Sequence, residues 1–181
     1  MGEVFAMEWK KNGSLSMDDY RVFNVLTTQF SRRQHQDTFY QIQAPNWVNV
    51  LCVYDDQVVM IKQFRIGIEA YVLELPGGLV DPGETALAAG IRELAEETGY
   101  TGDAQIIGKM YPNPALFTNE LSTVLITEAI QAAPISREIF EDIEVILVPL
   151  DKIKQKIAHG EITNALTLAS FMHYFSMSSF Y

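Results

Sequence analysis

Three glutamates stand close together in this chain: Glu93, Glu96 and Glu97. Glu93 and Glu97 are four residues apart, so on a helix they lie one above the other, and Glu96 adjoins the same side. Like charges at this spacing repel by about 0.2–0.5 kcal/mol per pair. In the C-terminal half of a helix the macrodipole disfavours each carboxylate by a further ~0.3–1 kcal/mol. Arg92 is the one cation between Glu84 and Thr98 that can relieve them. A helix with purely structural duties would gain stability by losing one of these glutamates. A hard divalent cation removes the penalty, because Mg²⁺ takes oxygen ligands. The alternative is a solvated acidic face. Gly77, Gly78, Pro82 and Gly83 lie just upstream, where tight turns let backbone approach a ligand, and this favours the metal reading.

The element that must carry these carboxylates is legible as well. Leu87, Ile91, Leu94, Ala95 and Thr98 share one helical face. Thr85 is a suitable N-cap, and Gly99 is placed to stop the helix in a left-handed conformation. Arg92 sits beside the carboxylates, with Glu84 upstream as a possible partner.

The stretch Gly78 to Tyr100, GLVDPGETALAAGIRELAEETGY, resembles the Nudix box at all of its specified positions: Gly78, Glu84, Arg92, Glu93, Leu94, Glu96, Glu97, Gly99 and Tyr100. The resemblance implies an α+β fold of the Nudix type, an α/β/α sandwich around a mixed sheet, with a small N-terminal β appendage. It divides the chain into an appendage over 1–43, which can serve dimerisation, and a Nudix hydrolase domain over 44–181. It implies Glu93, Glu96 and Glu97 as ligands to Mg²⁺ (or Mn²⁺), joined by the backbone of Gly77. Arg92 pairs with Glu84 in this scheme and holds the helix against the glycine loop, with Gly78 as structural support.

Bulk properties exclude several classes. The chain has 181 residues, a formal net charge of -10 and 48% hydrophobic residues. It is therefore expected to bury a normal core and to lack the basic patch of a nucleic-acid binder. A single cysteine, Cys52, cannot form an internal disulfide and lies in an apolar run. No apolar run reaches the length of a membrane span. The N-terminus has neither a secretory signal pattern nor, with Ala6 at the sixth position, a myristoylation pattern. A cytoplasmic protein is expected.

Read in order, Arg21–Phe30 and Thr38–Ile42 are expected as strands of the appendage. Two or three strands alone cannot bury a core, so they must pack on the main domain or on another subunit. Trp47–Tyr54 and Val58–Phe64 form an expected hairpin. Arg65 closes it near Gly67, a place from which a guanidinium can clamp a phosphate or simply lie in solvent. Tyr71–Leu75 is a strand leading into the box, and Glu74 occupies a position that relatives use near the substrate. Further strands are expected at Ala104–Tyr111, Leu121–Ala129 and Glu144–Pro149. A helix starts over Lys152–Ile157, and a last one spans Ala165–Phe175, capped by Thr163 or Asn164. Pro112 and Pro114 lie near the place where relatives that hydrolyse ADP-ribose carry a proline on the sugar side. The run YPNPALFTNE departs from their serine-proline-glycine version.

By the same resemblance, the activity is metal-dependent hydrolysis of a nucleoside diphosphate joined to another group. An ADP-sugar such as ADP-ribose is the leading substrate, giving AMP and ribose 5-phosphate. A glutamate on a late loop orients the water in that branch, and Glu141 matches its position best, with Glu120, Glu138 and Glu144 as other candidates. The alternatives are a different diphosphate, a nucleoside triphosphate, or a non-catalytic sensor; sensors usually lose box glutamates, and this chain keeps them. Partners are a small nucleotide substrate and a second copy of the chain. His35, His159 and His173 do not cluster and receive no role.

Overall fold

Short apolar runs recur through the middle of the chain, and the strands they form build a mixed sheet clad with helices on both faces. The structure, a computed structural model, describes residues 8–132, 134–136 and 142–177. It divides into two compact units. One comprises the chain up to Pro45 with Tyr111–Asn119; the other comprises Asn46–Met110 with the chain from Glu120 onward.

The first unit is an antiparallel sheet of β1 (Lys10–Asp19), β2 (Asn24–Arg32) and β3 (His35–Gln43), with β2 in the centre. The expected strand at Arg21 begins later, at Asn24, because Arg21 adopts a positive φ and its amide donates to Asp19 Oδ1 at 2.8 Å, making a turn. Leu26 and Thr28 are buried on the central strand, whereas all ten residues of β1 are exposed. Phe39 makes edge-to-face contacts with both Trp9 and Phe30, and the Arg32 guanidinium lies 5.6 Å from the Trp9 ring centroid. The Tyr111–Asn119 segment is stitched to β3 through Ile42, whose amide donates to Leu116 O and whose carbonyl accepts from Thr118 N.

The second unit holds β4 (Trp47–Tyr54), β5 (Gln57–Arg65), β6 (Ala70–Glu74), β7 (Gly77–Leu79), β8 (Tyr100–Met110), β9 (Leu121–Gln131) and β10 (Ile143–Pro149). Its helices are α1 (Ala86–Thr98), α2 (Ile153–Ala158) and α3 (Ala165–Met177). The strand order is β10-β5-β4-β9-β8, with β6 paired to β5 and β7 to β4. The β4–β9 pair is parallel and the others are antiparallel.

Strand alternation divides the core in two. Val48, Val50 and Cys52 of β4 pack with Ala89 and Leu94 of α1 and with Val124 and Ile126 of β9. Leu51, on the opposite face, packs with Leu125 of β9, Ile153 of α2 and Phe171 of α3. Each fully buried aliphatic side chain contributes about 1.5–3 kcal/mol, so both helix layers are anchored mainly by this apolar burial. The result is the expected α/β/α sandwich. Burial pushes the Cys52 thiol up to about 12, which leaves it an inert core residue. Among the described residues no helix is long and apolar enough to cross a membrane.

Candidate active site

Helix α1 carries the acidic cluster, and its ends are fixed locally. Thr85 Oγ1 accepts from Ala88 N at 3.2 Å, and Gly99, at φ 78°, donates its amide to Ala95 O. The helix does not divide cleanly into an apolar face and an acidic one: Glu97, 3% exposed, is buried alongside Ala89, Gly90, Leu94 and Thr98. Glu93 and Glu96 lie at the edge, partly exposed.

Arg92 ties the cluster together. Its Nε and Nη2 bond both oxygens of Glu84, at 3.1 and 2.9 Å, and Nη2 also donates to Leu79 O at 3.0 Å. Its Nη1 donates to Glu93 Oε1 at 2.9 Å and to Glu96 Oε2 at 3.1 Å. The bond to Glu84, with further help from Glu93 and Glu96, raises the Arg92 pKa above its ordinary value. Arg92 reciprocally holds the Glu84 carboxyl below the ordinary carboxylate range. One guanidinium thus serves three carboxylates and also reaches the backbone before the helix.

The glycine turn meets this helix at two points. Gly77 N donates to Glu97 Oε2 at 3.0 Å, so a buried carboxylate orients the Gly77 peptide. At Gly78 an added Cβ would lie 2.4 Å from Glu93 Oε1, so the Glu93 carboxylate occupies space that only glycine leaves open. The turn is held from the sheet side as well, where Val50 N donates to Pro76 O at 2.8 Å and Gly77 pairs with Asn49. Gly77 and Gly78, expected as tight-turn residues, belong to the short strand β7.

These residues fit a hard divalent cation. The donors are carboxylate oxygens next to a pinned backbone turn, and Gly78 keeps the approach to Glu93 free of side chain. In the conformation described, Arg92 Nη1 lies between Glu93 and Glu96. Among the described residues no three carboxylate, imidazole or thiol groups converge on one point.

Arg65 and Glu74 are brought together by the β5–β6 hairpin. Arg65 Nε and Nη2 both reach Glu74 Oε1 at 2.7 Å. Glu74 is 2% exposed while the Arg65 side chain is 46% exposed. Burial pushes the Glu74 carboxyl above its ordinary pKa, and Arg65 and Asn164 oppose that shift. Both Glu74 oxygens are occupied, Oε2 by Asn164 Nδ2 at 2.6 Å. The geometry makes Glu74 the inner support of an outward-facing arginine.

Of the candidate bases, Glu141 and Glu138 lie outside the described residues. Their flanks are described: Ser136 N donates to Glu96 O at 2.9 Å, and Asp142 Oδ2 accepts from Tyr71 Oη at 2.7 Å. Ser136 thus lies against the box helix, and Asp142 lies beside β6. Glu120 is paired with Lys109 Nζ at 2.7 Å. The Glu144 side chain is 68% exposed and lies 4.0 Å from Lys62 on the surface of the sheet. Pro114 belongs to the Tyr111–Asn119 segment of the first unit. The sequence reading missed Asn164 as anything more than a cap; the buried partner across from it, Glu74, is 90 residues distant and gives no local signal.

Comparison with known proteins gives the class. The NUDIX domain profile matches residues 45–167, and the chain belongs to this family. Among individual relatives, it is 34% identical over 130 residues to the ADP-ribose pyrophosphatase of Bacillus subtilis, a match covering 70% of each chain. It is 33% identical over 79 residues to the ADP compounds hydrolase NudE of Escherichia coli, covering 43% of this chain and 42% of that one. A crystal structure of an ADP compounds hydrolase shares the fold, with a TM-score of 0.83 at 20% identity and 94% of each chain covered.

Proposed function

We propose that the protein is a Nudix pyrophosphohydrolase that cleaves the diphosphate of an ADP-sugar, with ADP-ribose the substrate to test first, yielding AMP and ribose 5-phosphate. The observation that carries this reading is the buried Glu97 bonded to the Gly77 amide beside Glu93 and Glu96. Glu93, Glu96, Glu97 and the Gly77 carbonyl are the groups that would hold Mg²⁺, or Mn²⁺ in its place. When bound, such a cation supplies neutralisation of the diphosphate oxygens and a lowered pKa for an attacking water. Arg92 keeps Glu93 and Glu96 in place and ties the helix to Glu84. Arg65, backed by Glu74, presents a guanidinium suited to a phosphate oxygen.

Water must be oriented by a carboxylate that is not holding a cation. Glu141 is assigned that role on its place in the sequence, between Ser136, whose amide donates to the Glu96 carbonyl, and Asp142, which accepts from Tyr71. Glu120 and Glu144 are less suited, since one is paired with Lys109 and the other lies out on the sheet surface. A homodimer built on the first unit fits the exposure of Leu15, Met17 and Tyr40 there. A cytoplasmic setting fits a chain whose one cysteine is buried.

The test is incubation with ADP-ribose and Mg²⁺, followed by chromatography for AMP. Glu97→Gln keeps an acceptor for Gly77 N but loses the charge, so it should lower turnover at least about a hundredfold while the protein stays folded. Failure of the intact protein to cleave any nucleoside diphosphate compound with either metal sinks the hydrolase reading.

A further inference from the structure

Beside the apolar contacts of Phe171 and Leu168, helix α3 sets against the sheet polar residues that recur every third position: Asn164, Thr167, Ser170 and His173. An i±3 row forms a ridge oblique to the helix axis, so it meets several strands in turn. Asn164 bonds Glu74 of β6, and Thr167 Oγ1 accepts from Leu75 N at 3.1 Å. Ser170 Oγ accepts from Asn49 Nδ2 at 3.2 Å and from Thr123 Oγ1 at 3.1 Å. His173 Nδ1 lies 2.9 Å from Thr123 Oγ1. Thr167, Ser170, Thr123 and Glu74 are all buried. Apolar residues would seat a helix on a sheet as firmly, so the polar row calls for another reason.

Its first member supplies one. Asn164 Oδ1 accepts from Leu166 N at 2.9 Å and Thr167 N at 3.0 Å, which caps α3. Its Nδ2 simultaneously donates to Glu74 Oε2, leaving Oε1 for Arg65. A single amide therefore uses its acceptor to start a helix and its donor to fix the carboxylate behind Arg65. One turn on, Thr167 takes the Leu75 amide, two residues before Gly77.

We infer that Asn164 is a positioning residue for Arg65: acting through Glu74, it sets the direction of the guanidinium that receives a phosphate group of the substrate. This rests on the hydrolase reading for the identity of the ligand, but not for the geometry. Asn164→Ser keeps the N-cap acceptor and is too short to reach Glu74. Asn164→Asp also keeps the cap, and sets a second carboxylate against the first.

Two measurements decide the matter. The first, needing no ligand, is solvent exchange of the Arg65 Nε–H proton by ¹⁵N NMR, the signal being identified by its loss in Arg65→Lys. In both Asn164 variants this exchange should accelerate about tenfold, while α3 amide protection stays as in the wild type. The second is calorimetric binding of ADP-ribose in EDTA. Asn164→Ser should weaken it about tenfold, and Asn164→Ser/Arg65→Ala should bind no worse than Arg65→Ala alone, as expected for residues acting in series. An unchanged Arg65 signal overturns the inference, and so do penalties that multiply in the double variant. If the wild type neither binds nor cleaves ADP-ribose, the substrate assignment fails, and the Arg65 signal alone decides the positioning role.

Discussion

Replacing Gly78 with alanine should separate folding from catalysis. The new Cβ would lie 2.4 Å from Glu93 Oε1 and 2.6 Å from its carboxyl carbon. Ordinary contact needs about 3.4 Å or more, so the carboxylate must move by roughly 1 Å. Stability should suffer little, because the group that yields is the end of a flexible side chain and Gly78 does not need a positive φ. Reduced freedom of the unfolded chain returns about 0.4–1 kcal/mol. Activity should suffer much more, since misplacement of a catalytic constellation by about 1 Å costs on the order of 10² in rate. Gly77→Ala is the contrasting variant. There the Cβ would meet Val48 O at 2.1 Å and Asn49 Cα at 3.0 Å, with φ at 157°. Backbone of a central strand cannot step aside, so a loss of at least ~2 kcal/mol is expected. Urea denaturation and initial rates of AMP release, measured on both variants, check the pair. Near-wild-type turnover in Gly78→Ala would refute the placement of Glu93 at the reacting centre. Equal destabilisation of the two variants would refute the reading of the glycine turn.

Three more expectations can be checked directly. Glu141→Gln should cut kcat by about 10²–10⁴ with little change in KM, the range for loss of a general base; full activity would transfer the role to Glu120 or Glu144. Glu84 has a folded pKa below its unfolded value, so its contribution is fully present above the ordinary glutamate pKa of about 4.3 and is lost as pH falls through the lower folded value. The stability gap between wild type and Glu84→Gln should therefore hold from neutral pH down to about 4.3 and shrink below it, and a gap that widens in acid would contradict the Arg92–Glu84 pairing. Light scattering should report a dimer at micromolar concentration and a smaller particle for Tyr40→Glu, whereas a monomeric wild type removes the proposed role of the first unit.

Much of this architecture could be read from the chain because its signals are local. The caps at Thr85 and Gly99 bound α1, and the apolar run Trp47–Tyr54, ended by Asp55 and Asp56, marks β4 to the residue. The carboxylate spacing marks the candidate site for the same reason: residues three and four apart on one helix need no knowledge of the rest of the fold. Strand β1 was not legible, since KKNGSLSMDD has no apolar alternation and is held by pairing with β2 rather than by burial. Burial of Glu97 was hidden too, because its partner is a backbone amide 20 residues away. The Arg65–Glu74 pair required knowing the hairpin register, and the link from Glu74 to Asn164 required knowing where α3 packs.

The parallel pairing of β4 with β9 also bears on how the protein reaches its native state. Trp47–Cys52 aligns with Leu121–Ile126, so the paired residues stand 74 apart in sequence and the chain between the two strands includes the whole box. Gly77 takes its place by pairing with β4, and α1 rests on both strands. Closing so long a loop costs entropy before any long-range contact repays it, and such topologies fold slowly. The apolar seat of α1 is thus complete only once the two distant strands have met. A nascent chain that has emerged only as far as Tyr100 holds every glutamate of the box but lacks β9, one of the two strands on which α1 rests.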